Sequence, residues 1–333
     1  MRVPLADSED MKTFVVGVVL VAVVVASGCS RGGELASGDP VAGVDLVPGP
    51  VGSFDVITHG DDGPFWSVFQ QGVAQAGIDL GTTVRYQGAA GDLVAQAEMV
   101  LAAVEQGSGG VAMSVPDPAA LEEAAGAVTT ARLPFYVVNV GEDEADDLGA
   151  VTYIGPSDYE TGQAAGARFD GLGATSVLCA RQDENVDFDQ RCQGLEASFS
   201  GTVISEFVGS DPAEQERIMS TIMGSNPEID AVFGTDAGVT ARAVVAARSA
   251  DADVMIGGVG LSDELVAAVE VGDVAFTLDS DPYLQGYLAV VLMFQQAGNL
   301  SAVGAGLPVI TGPGLVTAEN VEQVAALMAD GTR

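Results

Sequence analysis

The sequence predicts an α/β protein of two lobes, each a parallel sheet flanked by helices, with a cleft between them. Three observations predict it. Short β-type runs alternate with helices of about ten to fifteen residues along most of the chain, the mark of βαβ units with right-handed crossovers. The alternation runs through twice, from Phe54 and again from Val151, so two halves of similar build follow one another. At 333 residues the chain is long enough for two full cores.

The first 29 residues read as an address. Met11-Lys12 precede an apolar run from Phe14 to Ala26 broken only by Gly17, and Ser27-Gly28-Cys29 follow. The run is short for a membrane span but suits a secretory segment ending in small residues. Residues 1 to 10 carry Asp7, Glu9 and Asp10, wrong for a positive leader, so Met11 is read as the true start. Ala26-Ser27-Gly28-Cys29 resembles the bacterial lipobox, in which the cysteine is lipidated and becomes the mature N-terminus. Ala26 stands where Leu or Val is usual. An uncleaved anchor would give the same extracytoplasmic, membrane-attached location. Residues 30 to 52, rich in Gly, Pro and Ser, read as a flexible tether.

Ser53 to Leu80 opens the folded part as strand, polar turn and helix. Phe54 to Thr58 is the strand, and His59-Gly60-Asp61-Asp62-Gly63 the turn. Pro64 then sits where a first helical residue loses nothing by lacking an N–H. Phe65, Val68, Phe69, Val73, Ala76 and Leu80 recur at three- and four-residue steps. Ligands of open α/β sheets sit at such turns, beyond the carboxyl ends of the strands. Phe65 and Trp66, the one Trp, together with Asp61 and Asp62 make a platform for a sugar, rings covering C–H faces and acids accepting hydroxyl hydrogens. The plainer alternatives are core aromatics, helix-capping acids and a structural His59.

The remaining elements follow in order. Strands are expected at 83–86, 110–115, 134–139 and 151–154, with helices at 92–105 and 119–131 between the first four. The second series places strands at 174–180, 203–208, 231–235, 254–259 and 274–278. Its helices are expected at 159–169, 187–199, 213–223, 239–247 and 263–271, the first capped by Ser157. A long apolar helix opens at Asp281-Pro282-Tyr283, a strand-like piece spans 307–310, and a helix at 318–328 closes the chain.

Composition narrows the function. Asp plus Glu total 47 against 12 Lys plus Arg, a formal charge of −35, and a surface so negative repels phosphate backbones, which excludes nucleic acid as a partner. The scattered acids suggest adaptation to salty surroundings. The sole lysine lies in the leader, so there is no Walker loop; there is no Gly-x-Ser-x-Gly elbow, and His59 is the only histidine. No His/Cys cluster has metal spacing, and no metal or cofactor is expected. Cys179 and Cys192, an even remainder in an exported chain, are read as a disulfide.

Several motifs in order carry a resemblance over Phe54 to Ala329. They are Gly63-Pro64-Phe65-Trp66, Asn139 after Pro134-Phe135-Tyr136-Val137-Val138, and Ile154-Gly155-Pro156-Ser157-Asp158 with Gly162 and Gly166. Asp189-Gln190-Arg191-Cys192-Gln193-Gly194, Ala231 to Asp236 and Asp281 to Tyr287 complete the set. The region resembles the periplasmic binding protein type I family, specifically the ribose-type sugar-binding lipoproteins of ABC importers. The resemblance implies two Rossmann-like lobes joined by a three-crossover hinge, with an N-terminal lobe of 53–156 plus 282–306 and a C-terminal lobe of 157–281 plus 307–333. It implies that Phe65 and Trp66 stack on the ligand, that Asn139 and Asp236 bind hydroxyls, and that Arg191 is the cleft arginine. Gly63, Val140, Gly260 and Ser280 depart from the family's usual contacts, which puts the identity of the sugar in question and leaves Asp61 and Asp62 as possible replacements. The expected function is capture of a sugar or polyol by a monomer, for delivery to ABC permease subunits, with attachment to the membrane through the lipid anchor only and no catalytic residue. The alternatives are a ligand-sensing module for a membrane receptor and a carbohydrate-active enzyme.

Overall fold

A computed structural model of the chain describes residues 52–182, 186–304 and 306–333, with Val186 described by its backbone alone. The leader, Cys29 and the tether lie outside the described residues. Everything described falls in one compact unit, Gly43–Arg333.

The first sheet is built from β1 (Ser53–Thr58), β2 (Thr83–Gly88), β3 (Val111–Met113), β4 (Phe135–Val138) and β5 (Thr152–Gly155), joined by α1 (Gly63–Leu80), α2 (Leu93–Glu105) and α3 (Pro118–Thr130). After β5 come α4 (Asp158–Leu172), β6 (Ser176–Arg181), α5 (Val186–Ser198), β7 (Thr202–Phe207), α6 (Pro212–Ser225) and β8 (Ala231–Gly234). Then follow α7 (Ala237–Ala250), β9 (Met255–Val259), α8 (Asp263–Val271), β10 (Phe276–Asp279) and α9 (Pro282–Asn299). The chain ends through β11 (Val309–Ile310), β12 (Gly314–Val316) and α10 (Val321–Ala329). The two six-stranded sheets have matching orders, β2-β1-β3-β4-β5-β11 and β7-β6-β8-β9-β10-β12. All pairings are parallel except β12 on β10.

Two expectations are corrected. Val309 and Ile310, assigned from the sequence to the C-terminal lobe, form β11 along β5 of the first sheet. The stretch Gly312-Pro313-Gly314, read as a plain connection into the last helix, delivers β12 antiparallel to β10, with Leu315 opposite Leu278. Three residues are too few to show a strand period, so pairing with an existing edge decides the conformation.

Local chemistry explains the elements. β3, β4, β5 and β8 are buried along their whole length, as strands covered by helices on both faces must be, and read as continuous apolar runs. Asp92, Asp117, Asp211 and Asp236 accept backbone N–H bonds at the starts of α2, α3, α6 and α7, and Pro118 and Pro212 follow two of them. Asp62 precedes α1 without a side-chain capping bond. Pro64 at the second helical position removes one of the two N–H groups that a capping carboxylate would meet.

Apolar layers lie on both faces of each sheet. In the first lobe α1 and α9 cover one face with Phe69, Val73 and Met293, while α2 and α3 cover the other with Val100, Leu121 and Val128. In the second, α4 and α5 bring Phe169, Leu195 and Phe199 against Phe233 and Phe276, and α6, α7, α8 and α10 cover the opposite face. The α4–α5 crossing is close enough to require glycine on both helices. A Cβ on Gly162 would lie 2.0 Å from the Arg191 carbonyl oxygen, and one on Gly194 would lie 2.0 Å from that of Tyr159. Cys179 of β6 and Cys192 of α5 form the expected disulfide, Cα atoms 5.9 Å apart.

The chain passes between the sheets three times, after β5, after β10 and between β11 and β12. Thr311 ties these passages together: its N–H donates to Gly155 O (3.0 Å) and its hydroxyl to Ser280 O (2.8 Å). Gln285 Nε2 also donates to Ser280 O (2.7 Å), and Arg333 holds Asp279 and Asp281 at 2.7 and 3.3 Å. Among the described residues no helix is long and apolar enough to cross a membrane.

Candidate functional site

The parallel register points the loops after the strands of each lobe toward its carboxyl-end edge, where ligands of such sheets gather. In the first lobe Phe65 and Trp66 lie in the opening turn of α1, both half-buried. Their rings meet edge to face at 4.8 Å, and Trp66 packs at 5.1 Å on His59 and 5.5 Å on Phe69. They pack against the core and remain partly exposed. Asp61 and Asp62 are exposed on the turn, where the Asp61 carbonyl accepts from Gln70 Nε2 at 3.1 Å. Asn139 follows β4 with φ 67°, a left-handed conformation that Asn tolerates better than most residues. Its carbonyl accepts from the Tyr153 hydroxyl at 2.5 Å.

In the second lobe Arg191, on α5, is buried to 14% side-chain exposure and donates from Nε to Asp158 Oδ1 at 2.7 Å. It also donates to the Thr235 carbonyl, and its guanidinium carbon lies 5.3 Å from the centre of the Phe188 ring. Burial opposes its charge, but Asp158, with Asp187 and Asp236 adding, holds its pKa above the ordinary value. Asp236 accepts from the Val239 N–H at 2.8 Å as the cap of α7. Burial raises its pKa, against the pull of that N–H and of Arg191. Arg191, Asp158, Thr235 and Asp236 are therefore one electrostatic group. Ser280 takes part through its carbonyl in the hinge contacts described above.

A cavity of about 60 Å³ lies between the lobes. Its lining includes Val140, Glu142 and Tyr153 from the first lobe, and Asp158, Asp187 and Gln190 from the second. Gln190 Nε2 donates to Asp143 Oδ2 at 3.1 Å, a bond that crosses from one lobe to the other. None of the residues proposed from the sequence as ligand contacts lines this cavity, whereas Val140, noted there as a departure, and Asp158 and Gln190, members of the quoted motifs, do. The lining residues that the sequence reading did not put forward as ligand contacts include Glu142, Asp158, Asp187 and Gln190. One signal was available: Gly141-Glu142-Asp143-Glu144 is an acidic run directly after a strand end.

The missed acids are electrostatically unusual. Burial pushes Glu142 up to about 7, with Asp143, Glu160 and Asp158 adding and the Ser157 hydroxyl opposing. Burial likewise pushes Asp187 up to about 7, with Asp158 and Glu144 adding and Arg191 opposing. Asp158 is raised by burial against the counter-pull of Arg191. Among the described residues no group of three or more His, Cys, Asp or Glu is arranged to hold a metal ion. The chemistry on offer is hydrogen bonding from both lobes, with aromatic surface on one side.

Comparison with known proteins fits this architecture. Residues 54–300 match the family model described as a periplasmic binding protein domain. The chain belongs to that family. This periplasmic binding protein is 24% identical over 286 residues to the xylose/arabinose-binding protein XylF of Sulfolobus acidocaldarius, covering 80% of this chain and 71% of the relative. A carbohydrate transporter from Acidothermus cellulolyticus 11B, solved in complex with myo-inositol, superposes with a TM-score of 0.78 at 30% identity, covering 85% of this chain and 100% of the other. An ABC transporter periplasmic solute-binding protein from Actinobacillus succinogenes 130z with bound D-allose has a TM-score of 0.72 at 17% identity, covering 82% and 99%, and supports the fold alone.

Proposed function

We propose that this protein is an extracytoplasmic solute-binding lipoprotein, anchored through Cys29, that captures a sugar or polyol between its lobes and presents it to the permease of an ABC importer. The observation that carries the reading is the presence of two groups on separate lobes joined by three chain passages. One is an aromatic rim, Phe65 and Trp66, and the other a charged set, Arg191 with Asp158 and Asp236. A solute that touches both groups makes its full set of contacts only when the lobes approach, so it shifts the population toward the closed form. The match of hydroxyls to buried polar groups supplies selectivity, since a buried partner left unpaired costs about 1–3 kcal/mol. Pentoses and cyclitols head the candidate ligands, because the xylose/arabinose-binding relative and the transporter solved with myo-inositol bind such molecules.

A thermal-shift screen over pentoses, hexoses and cyclitols tests the reading. A true ligand raises the melting point with its concentration, by the equivalent of about 2.7 kcal/mol at one hundred times its Kd. No saturable shift with any sugar or polyol would remove the proposal. Membrane attachment is tested separately: Cys29→Ser should move the protein from the membrane fraction to the soluble one.

A further inference from the structure

The residue after β1, His59, is fixed on every side. Its N–H donates to Ser114 Oγ at 2.8 Å, and its carbonyl accepts from the Gly91 N–H at 2.7 Å. Ser114, just after β3, is fully buried, as is Gln96 on α2. Gln96 Nε2 donates to the Ser114 carbonyl at 2.8 Å and, more weakly, to Ser114 Oγ at 3.4 Å. The same nitrogen lies 3.4 Å from the Ile57 carbonyl, so two carbonyls dictate the amide's orientation and leave Gln96 Oε1 buried without a partner. An unpartnered buried acceptor lowers stability.

The Ser114 oxygen accepts from the His59 backbone N–H, and its hydroxyl shares one hydrogen bond with His59 Nδ1, 2.9 Å away. Burial keeps the ring neutral, lowering its pKa to about 4. The ring then meets the Trp66 indole edge to face, planes at 89°. On another side the indole rests on bare backbone: a Cβ at Gly60 would lie 2.0 Å from its Nε1.

We propose that His59 is the positioning residue for Trp66, its ring orientation held by Ser114 and Gln96, so that this buried chain sets ligand affinity without touching ligand. The proposal rests on the reading of Trp66 as a ligand contact. Since Trp66 is the sole Trp, intrinsic emission reports its surroundings directly.

The experiment compares wild type with Ser114→Ala, His59→Asn, which keeps an acceptor near the Nδ1 position but lacks the ring, and Trp66→Ala. Each is first shown to melt cooperatively. The measurements are emission maximum, acrylamide quenching, and titration with myo-inositol, D-xylose and D-allose. Ser114→Ala and His59→Asn are expected to shift the emission to the red, to raise quenching about twofold, and to weaken binding of whichever probe binds wild type about tenfold. Ser114→Thr, which restores the hydroxyl, should recover much of both signals. Unchanged emission and quenching in the folded variants overturn the proposal whether or not a probe binds. A spectral shift without loss of affinity, where Trp66→Ala abolishes binding, overturns it while sparing the functional reading. Unchanged affinity in Trp66→Ala removes Trp66 from the site and defeats both.

Discussion

Raising the pH from 5.5 to 8 should destabilise this protein, and Glu142→Gln should remove much of the effect. In the unfolded chain Glu and Asp ionise near 4.3 and 3.9. In the fold, burial holds Glu142 and Asp187 protonated up to about 7. Between those values the native state binds more protons, so the stability these groups contribute is complete below about pH 4 and is lost as pH climbs through 7. Only the part between pH 5.5 and about 7 falls in this window, about one and a half units, which corresponds to about 2 kcal/mol for one carboxyl as a ceiling. Because both groups feel Asp158 and both are partly reached by water, we expect about 1–3 kcal/mol for the combined step. That corresponds to a fall in melting temperature of about 3–10 °C for lobes of this size. The assay is a series of thermal melts at fixed, high salt, where ordinary carboxylates are ionised throughout the window and their repulsion stays constant. A melting temperature that holds level or rises between pH 5.5 and 8 would refute the reasoning. So would a Glu142→Gln variant with the wild-type slope.

Three further outcomes follow from the same structure. Arg191→Ala should lose about 3–5 kcal/mol, because it leaves the buried Asp158 carboxylate without its partner; chemical denaturation should show Arg191→Ala/Asp158→Asn recovering part of the loss, and ligand titration should show weakened binding in both. Replacing Cys179 and Cys192 by Ser opens a loop with a sequence separation of 13 and should cost about 3 kcal/mol, visible as a lower denaturant midpoint. Raising salt from about 0.1 to 1 M should raise the melting temperature, since the formal charge of −35 makes self-repulsion a steady burden that a Debye length of about 3 Å removes; a melting point indifferent to salt counts against the salt-adaptation reading.

Much of the fold was legible because its determinants are local. Strands covered on both faces show as apolar runs, and helix starts show as Asp-Pro or Ser signals, so β4 and α6 fall where the residues place them. The disulfide followed from cysteine arithmetic alone. The strand missed was β12, whose conformation comes from the edge it pairs with, and β11 was expected as a strand but given to the other lobe. The site was legible on one side. Phe65 and Trp66 announce themselves beside a turn, whereas the acids of the cavity gain significance only when Glu142 of one lobe comes near Asp158 of the other. His59 and Ser114 are separated by 55 positions, and no periodicity in sequence records such a contact.

The hinge explains why contacts on separate lobes can act as one device. Three chain passages alone would leave the lobes free to twist as well as to close. Thr311 removes part of that freedom, because one residue holds Gly155 of the first passage and Ser280 of the second from its own place in the third. Arg333 adds a second tie at Asp279 and Asp281, beside the left-handed residue that starts α9. Motion is thereby confined to changes that keep these bonds, which favours bending about the knot over sliding of one sheet past the other. The Asp143–Gln190 bond lies between the lobes at the cavity and outside the knot. Under the proposed closure, bending should break or make it, together with the approach of Glu142 to Asp158, while the Thr311 contacts persist. A bound solute and carboxyl protonation should then act on the same motion, each strengthening the effect of the other.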